Sequence, residues 1–85
     1  MRLKIVEKLL VRKIDDEVFI YDRERANVHS FNGVGAFIWC CIEKSYDEEA
    51  IINALLEEYE VDKTTADRDL RTFVGTITER GLLEP

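Results

Sequence analysis

The sequence predicts an α+β domain in which a three-stranded antiparallel β-meander is followed by three α-helices. Up to Phe31 apolar residues tend to alternate with polar ones, as on a half-buried strand, whereas from Asn32 onward they recur at three- and four-residue intervals, as on a helix. Two charged clusters, Asp15-Asp16-Glu17 and Asp22-Arg23-Glu24-Arg25, cut the first part into short pieces joined by tight links. Eighty-five residues fit one domain, expected over 1–85, and a chain of this length buries only roughly two-thirds of its unfolded surface. One core and a shallow groove are compatible with that size; a deep catalytic cavity is not.

Residues 1–8 show no clear period and are expected to form a loose N-terminal arm or a strand extension. Leu9-Leu10-Val11-Arg12-Lys13-Ile14 reads as the first strand, and Val18-Phe19-Ile20-Tyr21, β-branched and aromatic, as the second. Ala26-Asn27-Val28-His29-Ser30-Phe31 alternates as a third. Links this short make neighbouring strands antiparallel and leave the third at a sheet edge.

Asn32 is a suitable N-cap for a first helix, on which Val34, Phe37, Ile38, Cys41 and Ile42 share one face. Gly33 and Gly35 each lower its propensity by roughly 1 kcal/mol, so they point to close backbone approach or a flexible first turn. Ser45-Tyr46-Asp47-Glu48 fits a capping box for a second helix with the stripe Ile51, Ile52, Leu55, Leu56 and Tyr59. Asp62 caps a third helix, expected from about 63 to 80, with Ala66, Leu70, Phe73, Val74 and Ile77 inward. Gly81 stands where a left-handed residue closes such a helix, and Leu82 can fold back onto the last turn.

Composition excludes several classes of function. Hydrophobic content of 46% with 35% charged residues describes a globular protein, and no apolar run approaches the roughly 20 residues of a membrane span. Glu7 and Lys8 interrupt any secretory core, which makes the expected compartment the cytoplasm. Residues 1–31 carry seven Lys or Arg against six Asp or Glu, and residues 32–85 five against twelve. The third helix with its cap balances Lys63, Arg68, Arg71 and Arg80 against Asp62, Asp67, Asp69 and Glu79. A winged-helix DNA-binding protein, the alternative reading, would need a basic recognition helix there, so no nucleic-acid partner is expected.

Reactive constellations are absent from the chain as read. Cys40 and Cys41 are neighbours on a helix, where side chains about 100° apart cannot form an ordinary bridge. His29 has no Cys or carboxylate at ligand spacing, and Gly33-x-Gly35 lacks both a phosphate-binding lysine and the third glycine of a dinucleotide fingerprint. The acidic run Glu57-Glu58-x-Glu60-x-Asp62 follows no calcium-loop pattern and reads as a solvated helix end. No cofactor, metal or catalytic role is expected.

The meander, Phe31-Asn32, the small pair Gly35-Ala36, Ile38-Trp39, an acidic helix ending Glu57-Glu58-Tyr59-x-Val61, and Asp69-x-x-x-Phe73 leading to Gly81-Leu82-Leu83 resemble the PqqD family. The resemblance spans roughly residues 9–83, and it departs where Gly33-Val34-Gly35-Ala36 replaces a segment often ending Thr-Ala. It implies a winged-helix-like fold and the role of a peptide chaperone in pathways of ribosomally made, modified peptides. Such proteins hold the leader of a precursor peptide and present its core to a modifying enzyme, often a radical S-adenosylmethionine protein. The leader is held as an added strand beside the third helix. The chain looks like the stand-alone form rather than one fused to its enzyme.

The residues lead to the same surface without that resemblance. An edge strand over Ala26, Asn27, Val28, His29, Ser30 and Phe31 has no Pro or Lys to blunt it, so its free N–H and C=O groups suit strand addition. Of the two shoulders of the third helix, the one bearing Asp67, Arg71, Gly75 and Thr78, with Val74, is expected to wall the groove. There Gly75 would let a peptide come close and Arg71 would pair with a leader carboxylate, while Asp69, Thr72, Thr76 and Arg80 lie on the other shoulder. An unprotected edge also allows an edge-paired or strand-swapped dimer beside the monomer.

Overall fold

The charged breaks of the sequence fall at the turns. In the computed structural model, which describes residues 3–84, β1 runs over Leu9–Ile14, β2 over Glu17–Asp22 and β3 over Asn27–Asn32. They form one antiparallel sheet in the order β1-β2-β3, with Ile14 opposite Glu17 and Asp22 opposite Asn27. The buried Asp22 carboxylate accepts the backbone N–H groups of Glu24 at 3.1 Å and Arg25 at 3.3 Å, which shapes the second turn. Ala26 has φ +53 in that turn and is not part of β3, which corrects the expected start of the strand by one residue.

The helices are α1 (Gly33–Glu43), α2 (Glu48–Glu58) and α3 (Lys63–Glu79). Gly33, at φ +55, takes the chain from β3 directly into α1. Asn32 is the N-cap residue, but its side chain makes no cap bond. It is also the last residue of β3, where the pleat aims it at the sheet face away from the helices.

Ser45 does not cap α2. It sits at φ +66 and closes α1 instead, with Ser45 N–H donating to Ile42 C=O and Tyr46 N–H to Cys41 C=O, the paired bonds of a Schellman end. The α2 cap is Asp47, which accepts the Ala50 N–H at 2.8 Å. Asp62 caps α3 in the same way through Thr65 N–H at 2.8 Å. At the other end Gly81, at φ +73, closes α3 as the sequence predicts: Leu82 N–H reaches Ile77 C=O, Gly81 N–H reaches Thr78 C=O, and Leu82 is fully buried.

Alternation in the sheet turns Val18, Ile20, His29 and Phe31 toward the helices. With α1 lying against β2, β3, α2 and α3, Trp39 and Ile38 pack on Ile20, Ile51, Leu55, Leu70 and Ile77 in one core. Of the segment expected to be a loose arm or a strand extension, residues 1–2 lie outside the described residues, and residues 3–6 are docked. Glu84 N–H donates to Lys4 C=O at 2.8 Å, Val6 N–H to Leu82 C=O at 3.0 Å, and Ile5 bridges to Leu83. Its lack of period reflects a two-bond pairing too short to impose one. Among the described residues no helix is long and apolar enough to cross a membrane.

Candidate functional site

Sheet order alone leaves one side of β3 open. Among the described residues, its backbone pairs only with β2, so every second residue from Asn27 to Asn32 aims its N–H and C=O outward. Beyond that edge stands α3. No Cα of β3 comes within 8 Å of a Cα of α3, yet their side chains meet, which leaves a groove with an aromatic floor. The Phe31 and Phe73 rings pack edge to face with centroids 4.9 Å apart, and Trp39 lies stacked behind Phe31 at 6.3 Å. A Cβ on Gly35 would come within 3.3 Å of the Phe73 ring, so glycine there lets α1 sit directly behind this floor.

The wall on the α3 side is Arg80. Its guanidinium lies 5.2 Å from the centroid of Phe31, and Arg25 Nη1 donates to its carbonyl at 3.4 Å, tying the second turn to the end of α3. His29, half-buried on the floor side, has a buried Nε2 with no hydrogen-bond partner, as does Trp39 Nε1. Val28, 70% exposed, and Ser30 point to the other face of the sheet.

Five of the six residues expected on the edge are thus in place, and Ala26 precedes the strand. The shoulder of α3 expected to face them does not. Arg71 bonds Asp67 at 3.1 Å and reaches Glu48 of α2 at 3.7 Å, so that side of the helix looks toward α2. Gly75 is exposed, and a Cβ added there would meet nothing within 4 Å. Thr78 donates to the Val74 carbonyl, and Val74 packs on the core margin. Periodicity defines the buried face of α3 but not which flank meets the sheet, and the groove falls on the flank of Phe73 and Arg80. The seven-residue spacing of that pair, two turns apart on one side, was the available signal.

Of the cations of α3 and its cap, only the exposed Lys63 makes no ion pair or ring contact among the described residues. Arg68 lies 3.9 Å from Asp69, Arg71 is paired, and Arg80 covers Phe31, so a single lysine and no basic stripe is left free on α3 among the described residues. Among the described residues the β1 edge is unpaired too, but Arg12 and Lys13 stand on it, and the hollow beside it is lined by residues 3–8 and the end of α1 rather than by α3.

A meander backed by three helices, with one open strand edge beside a helix, defines the class of domain. The chain belongs to the family described as coenzyme PQQ synthesis protein D (PqqD), whose profile matches residues 17–83. Among solved structures it is similar to TbiB1 in complex with the TbiA(beta) leader peptide, at 34% identity and TM-score 0.91, over 95% of this chain and 94% of that one. It has the same fold as a lasso peptide synthetase B1 complexed with the leader peptide, at 22% identity and TM-score 0.90, over 100% of both chains. No curated protein is detectably similar to it.

Proposed function

We propose that this protein is a non-catalytic binder that holds the leader of a ribosomally made precursor peptide as a fourth strand on β3 and presents it to a modifying enzyme. The observation that carries this reading is the open β3 edge, set more than 8 Å from α3 across a floor of Phe31 and Phe73. Main-chain bonds along Asn27–Asn32 supply affinity, and every second leader side chain falls into the groove between Phe31, Phe73 and Arg80, which supplies selectivity. An unpaired buried nitrogen such as His29 Nε2 carries a desolvation cost of about 1–3 kcal/mol, which a ligand group reaching it would offset. The 34% identity to a protein solved with a leader peptide supports the same assignment.

In this reading the protein acts in the cytoplasm, without a cofactor, as one domain. The recipient is the radical S-adenosylmethionine enzyme implied by the family resemblance, and that part rests on the resemblance alone. Pairing of two copies through β3 would use the same backbone groups, so leader and dimer compete.

Titration of the protein with the TbiA(beta) leader peptide and with the leader of its own precursor tests the binding. Arg80→Ala is expected to weaken it several-fold, on the scale of a cation–π contact of about 0.5–1 kcal/mol or more once desolvated. Arg71→Ala, on the flank facing α2, is expected to leave it within about twofold. The reverse ranking would place the leader on the wrong side of α3.

A further inference from the structure

A second concavity lies on the opposite side of α1 from the groove. It is a cavity of about 460 Å³ between the β1–β2 turn, α1 and α2, within the range of known binding pockets, and none of its lining residues belongs to β3 or α3. The helix divides the two sites: Gly35 and Trp39 face the aromatic floor beside β3, whereas Gly33, Ala36, Phe37 and Cys40 face this cavity.

The chemistry of its lining is consistent. Phe37 and Tyr59 meet edge to face at 5.6 Å and, with Ala36 and Ala54, make an apolar floor. Around them stand three carboxylates, Asp15, Asp16 and Glu58, none of which makes an ion pair among the described residues, while Glu17 borders the cavity from β2 with its side chain on the other face of the sheet. Of the two cations on the rim, Lys13 is held by Glu43 at 2.7 Å, which leaves Lys44 against the three. The Tyr59 hydroxyl is pushed above its ordinary range by burial first and by the Glu58 and Asp16 carboxylates next, so the negative field reaches the floor itself.

We propose that this cavity is a docking pocket for a partner protein's segment in which an aromatic or large aliphatic anchor is flanked by Arg or Lys. The anchor fills the space over Phe37 and Tyr59, and the flanking cations meet the unpaired carboxylates. The pocket and the β3 edge share no residue, so both can be occupied at once. The inference does not depend on the leader reading, since it stands on a different surface.

The test uses the whole ¹⁵N-labelled protein and a blocked hexapeptide with two cationic residues on each side of a central Trp-Leu pair. Saturable amide shifts are expected at Gly33, Phe37, Cys40, Lys44 and Tyr59, with Asn27–Asn32 unmoved. Replacing the four cationic residues by Glu, or the central pair by Ala-Ala, should weaken binding at least about tenfold. The exposed Glu58→Lys variant, with its fold checked by circular dichroism, should weaken it about threefold or more, and added salt should do the same to the wild type. Absence of saturation by about 5 mM peptide, equal binding of the acidic peptide, or shifts confined to β3 would each overturn the proposal.

Discussion

At the scale of single residues, the two glycines of the α3 region have opposite consequences. Gly81 holds φ +73 with the Arg25 guanidinium packed where a Cβ would go, so Gly81→Ala is both strained and crowded. Left-handed geometry alone costs an L-residue about 1–2 kcal/mol, and urea denaturation should show at least that loss. Gly75 is an exposed helical residue with open space around it, so Gly75→Ala should raise stability by about 0.5–1 kcal/mol. It should also leave leader affinity unchanged, whereas a peptide lying against Gly75 would be driven off by the added methyl. The sequence pattern shows that both positions are glycine on or after a helix. The pattern also marks Gly81 as the left-handed terminator, whereas only packing shows that Gly75 is required by nothing near it.

At the scale of elements, the helix ends separate what patterning can and cannot reveal. Asp62 and Gly81 are legible because a capping residue and a left-handed terminator each stand alone at their place in the pattern. Ser45 and Asp47 compete two residues apart, and the end of α1 decides between them by drawing Ser45 into its own closing turn. Asp47→Ala should therefore cost about 1 kcal/mol in equilibrium unfolding, and Ser45→Ala less than about 0.5. Equal losses would mean that Ser45 shares the cap. The Asp62 carboxyl is held below its ordinary 3.8 by the Thr65 backbone N–H and then by the Thr65 side chain. A depressed folded-state value adds stability that is complete above 3.8 and is lost as pH falls through the lower folded value. The advantage of wild type over Asp62→Asn should hence be constant at neutral pH and shrink in acid; a gap that widens in acid would have the wrong sign.

At the scale of the whole molecule, the order of strands and helices was legible almost in full, because each element carries its own period and its own break. The missing information concerned how elements meet. The docking of residues 4–6 onto 82–84 joins the two ends of the chain and leaves no local mark, and the flank of α3 that meets β3 depends on where α2 packs. The candidate site was legible as an edge, from Asn27 to Phe31, facing the third helix, and not in the flank that walls the groove, since Phe73 and Arg80 acquire their roles only through Phe31. The central claim is that a foreign extended chain completes this edge. Amide hydrogen exchange resolved by residue, with and without saturating TbiA(beta) leader peptide, tests it most directly. Added protection is expected at alternate residues of Asn27–Asn32 and none along Leu9–Ile14; saturable binding that leaves the outward amides of β3 unprotected would contradict the claim.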